Sequence, residues 1–316
     1  MKQIAVIIPC YNEAATIAQV VREFAAALPE AQIIVGDNNS HDDTASIARE
    51  AGALVISEPR QGKGNMLRTL LNATSADCYL MVDGDATYPA SSARQLCDEV
   101  LNEGCDMVIG DRLSSTYFTV NQRRFHNTGN KVMRSLINWM CHSDVQDILT
   151  GYRAMSRRFV ENFPLKSQGF EIETEMTVHA LEHSFKVDSV PVNYQDRPEG
   201  SFSKLSTFGD GYRAVKTALT LFGEHRPLRF FSIISAVLLL LALLLVIPVF
   251  IEYFRTGLVP RFPTLIVSGF IAMLAMLLWV GGVILEVISR NNWKQYELML
   301  MTYDRSSSAR MGIKEG

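Results

Sequence analysis

The sequence predicts an α/β domain, a Rossmann-like and mostly parallel sheet with helices on both faces, followed by a short amphipathic helix and a hairpin of two membrane-spanning helices. Three observations carry this. Five short apolar runs alternate with helical patterns over the first 110 residues. Six apolar residues recur at helical spacing after residue 204. Two uncharged stretches, each long enough as a helix to cross roughly 30 Å of hydrocarbon, follow them. The mean hydropathy of +0.09 averages two different materials, because most of the apolar excess lies beyond residue 229.

The strand-like runs are Ile4–Ile8, Gln32–Gly36, Leu54–Ser57, Cys78–Val82 and Asp106–Ile109, and Ile17, Val20, Val21, Phe24 and Leu28 mark one face of the first helix. In such sheets ligands bind beyond the carboxyl ends of the strands, and the residues there are strongly polar. After the first run come Pro9, Cys10, Tyr11, Asn12 and Glu13, and after the second the stretch from Asp37 to Thr44. Ser40 and Asp43 have capping-box spacing, so part of the second cluster reads as a helix start. Asp37 and Asn39 are not needed for capping; a strand-end carboxylate can accept from a nucleobase N–H, and Tyr11 can stack on a base. A plain polar loop is the competing reading. After the run ending at Val82 come Asp83, Gly84 and Asp85. Two carboxylates one residue apart make a hard-oxygen site for Mg2+ or Mn2+, with a simple turn as the alternative. Gln61 to Gly64 places a lysine between glycines but lacks phosphate-loop spacing.

Phe230–Ile251 holds 22 residues without a charge and Phe262–Leu285 another 24, joined by the ten-residue link Glu252–Arg261 with Gly257 and Pro260. The two helices should therefore form a hairpin with both outer ends on one side. Arg226, Arg229, Arg290 and Lys294 flank the outer ends against Arg255 and Arg261 in the link, so the outer ends are expected to be cytoplasmic. A buried hairpin in a soluble core is the alternative, disfavoured by the length of the runs. Leu205, Phe208, Tyr212, Val215, Leu219 and Phe222 line one stripe of a helix that lies either on the membrane face or against the globular domain. The expected divisions are 1–204, 205–229, 230–289 and a tail, 290–316, to which the sequence assigns no role.

Composition narrows the function. With 30 Lys+Arg against 33 Asp+Glu and a net charge of −3, there is no basic field to suggest a nucleic-acid partner. Cys10, Cys78, Cys97, Cys105 and Cys141 are odd in number without a C-x-x-C pair, and read as reduced packing thiols. Ile4–Ile8 is shorter than the ~7–15-residue core of a secretory signal, so the first 225 residues are expected to stay in the cytosol. His126, His142, His179 and His183 show no metal-ligand motif.

The segments Ile8–Glu13, Asp37–Ser40, Gly62–Gly64, Asp83–Asp85, Gly110–Arg112, Asp147–Arg153 and Arg197–Lys204 occur in an order that resembles the inverting A-type (GT-A) glycosyltransferases of the dolichyl- and polyprenyl-phosphate sugar synthase group. The resemblance covers residues 1 to about 225, and the helix pair is similar to the anchor of membrane-bound members. It implies transfer of a monosaccharide from a nucleotide sugar, UDP-linked in preference to GDP-mannose, to the phosphate of a polyprenyl phosphate, with Mg2+ or Mn2+ as cofactor. By that resemblance Pro9, Tyr11, Asn12, Glu13 and Asp37 would hold the nucleotide with Asn39 and Gly84 beside it. Asp83 and Asp85 would hold the ribose side and the metal, Asp85 most directly. Arg112, with Arg123 and Arg124, would meet the acceptor phosphate, Asp147 would lie beside the reacting sugar, and Arg197, Ser203 and Lys204 would close over the donor phosphates. Thr87 stands where many relatives carry glutamine, removing one expected metal ligand, and Asp111 stands where serine often precedes the arginine.

A lipid phosphate with a second pKa of about 6 is already ionised near neutral pH, so no strong base is required. Asp147 is therefore assigned to orientation or charge stabilisation, and direct attack opposite the nucleotide would invert the anomeric carbon. Lys63 reads as a phosphate neutraliser or a solvated lysine, and Glu171, Glu173 and Glu175 as pocket lining or a solvated helix start. Two other functions remain open: transfer to a hydroxyl of another lipid or glycan, and non-catalytic binding of a nucleotide sugar at a membrane. The expected location is the inner or plasma membrane, with the catalytic domain and both termini cytoplasmic and a homo-oligomer left open.

Overall fold

A computed structural model describes residues 2–114, 124–169, 171–195 and 219–310. The chain forms two compact units, Met1–Val215 and Lys216–Gly316, a division that falls within the expected juxtamembrane segment.

The first unit contains, in order, β1 (Ile4–Cys10), α1 (Ile17–Ala27), β2 (Gln32–Asp37), α2 (Thr44–Glu50), β3 (Leu54–Ser57), α3 (Lys63–Ala73), β4 (Cys78–Met81), α4 (Ala93–Leu101), β5 (Met107–Asp111), α5 (Arg124–Cys141), β6 (Arg153–Ser156), α6 (Arg157–Asn162), α7 (Ile172–Glu182) and β7 (Val187–Pro191). The strands make one sheet in the order β3-β2-β1-β4-β6-β5-β7. Among the described strands only β6 runs against its neighbours. The carboxyl ends of the other six strands therefore share one edge, and the loop entering β6 arrives there too. Val6, Ile7 and Ile8 are fully buried, as a strand covered on both faces requires. On one face Val6 and Ile8 share a core with Val20 and Phe24 of α1 and Leu96 and Val100 of α4. On the other, Met66 and Leu70 of α3 press against Gly36.

The ladders do not end where the apolar residues end. β1 continues through Pro9 to Cys10 and β2 to Asp37, in register opposite one another, while β5 reaches Asp111 and β4 stops at Met81. β4 pairs as far as Ile7 with Met81, so Pro9, which has no N–H to give, lies beyond that ladder. The expected capping box is not formed. α2 begins at Thr44 with Asp43 at the cap and no side-chain cap bond, and Asp42 accepts from the Thr44 N–H at 3.1 Å. Ser40 instead accepts from the Asn12 N–H at 3.0 Å, which ties the loops after β1 and β2 together.

The second unit contains α8 (Pro227–Thr256) and α9 (Phe262–Arg310). α8 opens with proline in its first turn and ends at Gly257 in the left-handed region, with a φ of 70°. The two helices pack antiparallel: the Ser235 hydroxyl donates to the Ala275 carbonyl at 2.7 Å, and Gly282 lies against Phe231. Both are long and apolar enough to cross a membrane, and only 11% of each apolar stretch is buried. A core hairpin would hide such a surface. The uncharged runs mark only part of these helices, and the tail expected as a separate segment continues α9 to Arg310. Of the expected amphipathic helix, residues 219–225 are helical and 205–218 lie outside the described residues.

Candidate active site

The sheet reverses its order of addition between β1 and β4, the position where open α/β sheets bind ligands. Three loops converge there. Asn12 and Asn39 both take left-handed backbone, with φ of 52° and 60°, a conformation asparagine tolerates better than most residues. The Asn12 side-chain oxygen accepts from the His41 N–H at 2.8 Å, and the Glu13 N–H donates to the Thr44 hydroxyl at 2.8 Å. Tyr11 meets His41 edge to face at 6.3 Å, and Asp37 accepts from the Ser40 N–H at 3.4 Å. The structure thus gathers Tyr11, Asn12, Glu13, Asp37 and Asn39 at one end of the sheet, with Pro9 inside β1. Asn38, which the sequence did not single out, is buried and holds the next loop in place: its amide donates to the carbonyls of Glu58 and Arg60 and accepts from the Gly62 N–H at 2.7 Å.

Asp83 and Asp85 follow β4. A Cβ on Gly84 would lie 2.5 Å from Cys10 Sγ, so only glycine lets this loop cross the end of β1. A Cβ on Gly151 would fall within the Asp83 carboxylate, which rests on that backbone. Asp85 is buried; its Oδ1 accepts from the Thr87 hydroxyl at 2.6 Å, and Ala86 between them takes a φ of 57°. Thr87, in place of the expected glutamine, therefore orients Asp85. The donor set is all oxygen, which suits a hard divalent cation.

Lys63 Nζ lies 2.5 Å from Asp83 Oδ1 and 2.5 Å from Glu173 Oε1. Burial alone would pull the ammonium down, but the Asp83 and Glu173 carboxylates outweigh it and hold Lys63 above the ordinary lysine value. The same burial pushes the Glu173 carboxyl up while the ammonium pulls it back, and the short contact favours the ion pair. The solvated reading of Lys63 and Glu173 is thus corrected. Glu171 is exposed, and Glu175 accepts from the N–H groups of Lys166 and Ser167. Glu173 and Glu175 both lie between Ile172 and Met176, so no local pattern in the sequence separated the buried one from its neighbour.

Arg112 and Asp147 hold each other. Arg112 Nε lies 2.7 Å from Asp147 Oδ2 and Nη2 3.0 Å from Oδ1, and the Arg112 N–H adds a third bond at 3.2 Å. The guanidinium carbon stands 6.0 Å and 5.7 Å from the ring centres of Tyr88 and Tyr194. Asp111, expected to alter the charge near a phosphate, is buried and accepts from the N–H groups of Leu113 and Ser114, so it builds the turn after Arg112. Two further residues shape the loop from Asp147. The buried Tyr88 hydroxyl accepts from the Gly151 N–H at 3.1 Å, and burial pushes the phenol up, so it stays neutral. Arg153 is fully buried and donates to the carbonyls of Thr150 and Ile148 and the Thr177 hydroxyl. Burial pulls its guanidinium down to about 10.

Arg123, Arg197, Ser203 and Lys204 lie outside the described residues, as does the side chain of Arg124, whose backbone opens α5. The rings of His179 and His183 lie 4.5 Å apart, tilted by 49°, in a cluster with Phe159, Phe163 and Phe185. No disulfide joins the five cysteines, all of which lie among the described residues.

Residues 5–163 match the family model described as Glycosyl transferase family 2. The chain is 37% identical over 227 residues to the glycosyltransferase AglJ of Haloferax volcanii, covering 69% of this chain and 74% of that one. It is 26% identical over 223 residues to the dolichyl-phosphate hexose transferase of the same organism, covering 71% of this chain and 95% of that one. Among solved structures, the glucosyl-3-phosphoglycerate synthase of Mycobacterium tuberculosis, in complex with Mn2+, UDP and phosphoglyceric acid, superposes with a TM-score of 0.56 at 23% identity, over 70% of this chain and 78% of that one. That likeness shows a shared GT-A fold, and the family match, which spans β1 to β6, together with the similarity to AglJ establishes that the chain is a glycosyltransferase belonging to glycosyl transferase family 2.

Proposed function

We propose that the chain transfers a monosaccharide from a nucleoside-diphosphate sugar to the phosphate of a polyprenyl phosphate, with inversion, at a membrane surface. The observation that carries this reading is the carboxylate pair Asp83 and Asp85 at the sheet's reversal point, in a chain whose second unit is two apolar helices. The dolichyl-phosphate hexose transferase among the relatives supports a lipid phosphate acceptor. The Mn2+ and UDP complexes of the mycobacterial synthase support a divalent cation and favour a UDP-sugar over GDP-mannose.

In this reading Asp83 and Asp85 hold Mg2+ or Mn2+, which when bound offsets the charge growing on the departing diphosphate. Pro9, Tyr11, Asn12, Glu13, Asp37 and Asn39 bind the nucleotide, with Gly84 giving it close backbone approach. Arg112 binds the acceptor phosphate, aimed by Asp147 and flanked by Tyr88 and Tyr194, because a fixed fork grips phosphate oxygens. Arg123 and Arg124 assist it, and Arg197, Ser203 and Lys204 serve the donor phosphates. An ionised phosphate attacks without a base, and Asp147, spent on Arg112, is poorly placed to act as one. This disfavours a hydroxyl acceptor. The helix pair keeps the reacting groups at the surface of the inner or plasma membrane, raising their effective concentration, with the catalytic unit and both termini cytoplasmic.

The test is turnover by the full chain in detergent with Mg2+ or Mn2+, radiolabelled UDP- and GDP-sugars, and undecaprenyl or dolichyl phosphate. The expected product is a labelled lipid that is labile to acid and stable to mild alkali. Label in diacylglycerol, or in neither phosphate lipid, would overturn the proposal.

A further inference from the structure

We infer that Glu173 is a positioning residue that sets the cation affinity of Asp83 by sharing Lys63, an inference that rests on the reading of Asp83 and Asp85 as the cation-holding pair. Lys63, at the first position of α3, and Glu173, in the first turn of α7, are separated by 110 residues, yet the fold brings both behind the loop after β4. The side chains of Lys63 and Glu173 are only 9% and 5% exposed, whereas that of Asp83 is 27% exposed. A cation arriving from solvent therefore meets Asp83, with the ammonium buried behind it and Glu173 behind the ammonium.

The arrangement has an electrostatic consequence. Alone, the Lys63 ammonium would neutralise Asp83 and repel a divalent ion. Glu173 takes a share of the ammonium at the same 2.5 Å distance and leaves the trio with one net negative charge. Buried ion pairs are often no more stabilising than apolar replacements, so stability alone is a weak reason for this one to exist.

The experiment measures Mn2+ binding by the full chain in detergent, from the electron paramagnetic resonance of free Mn2+, with UDP and in parallel with GDP. Glu173→Gln keeps the side-chain shape and should bind Mn2+ about tenfold more weakly, with lost turnover recovered as Mn2+ is raised. The double variant Lys63→Gln with Glu173→Gln restores one net negative charge and should regain most of that affinity. A purely structural pair predicts the reverse, a double variant that binds no better than the single one. Should Glu173→Gln fail to fold, Lys63→Gln alone must bind Mn2+ more tightly than the double variant. Parent-like binding by Glu173→Gln, an unrescued double variant, or equal affinities in that last comparison would each refute the inference. Asp85→Asn separates the two levels: if it binds Mn2+ as the parent does, the reading of the carboxylate pair itself fails, whereas its loss beside an unaffected Glu173→Gln removes only the role of Glu173.

Discussion

Arg112 and Asp147 depend on each other, and the cost of disturbing either follows from their burial. Arg112→Lys leaves a point charge that cannot bridge both oxygens of a carboxylate 2% exposed. Turnover should fall about 100-fold and the urea midpoint should drop by the equivalent of roughly 1–3 kcal/mol. Asp85→Asn preserves shape and the contact with Thr87, so its stability should stay near the parent's while turnover falls about 100- to 1,000-fold. A parent-like rate would end the proposed role of Asp85. The acidic pair was legible because its position at a strand end and the order of the surrounding motifs can be read along the chain. The partnerships were not: nothing local to Asp147 tells whether it faces a substrate or an arginine 35 residues earlier, and alternating glutamates at 171, 173 and 175 do not reveal that the middle one meets Lys63.

At the scale of loops and strands, Gly151 couples two elements, because the loop entering β6 passes under the Asp83 carboxylate. Gly151→Ala should displace that carboxylate, with Mn2+ binding lost and thermal stability lowered by about 1–3 kcal/mol. Ser40→Ala should weaken nucleotide binding through the loop after β1 and cost roughly 0.5–1.5 kcal/mol, with the helicity of α2 unchanged. Loss of α2 helicity by circular dichroism would restore the capping role the spacing suggested. Strand positions were readable and strand ends were not, since apolar patterning reports burial whereas the ladder between Cys10 and Asp37 is made by backbone groups that any side chain can carry. β6 was missed for a related reason. Its four residues begin with a buried arginine and offer no apolar run, and the antiparallel step it introduces into the sheet left no trace in composition.

Across the whole molecule, the alternation of runs and the two uncharged stretches were enough for the fold class, because each reflects a solvent boundary that many residues share. Orientation in the membrane is the testable part. With four basic residues at the outer ends against two in the link, a cysteine placed at Leu258 should react with an impermeant maleimide in intact cells. One placed at Asn291 should react only after permeabilisation, and the opposite pattern would invert the topology. α9 carries a further consequence. It runs unbroken for 49 residues, of which 25 follow Leu285 and at about 1.5 Å each reach roughly 37 Å. A helix that answers a change in bilayer thickness by tilting would then act as a lever: a swing of about 10° at the lipid would move the Arg310 end of α9 by about 6 Å, gearing that end of the helix to the thickness of the bilayer around it.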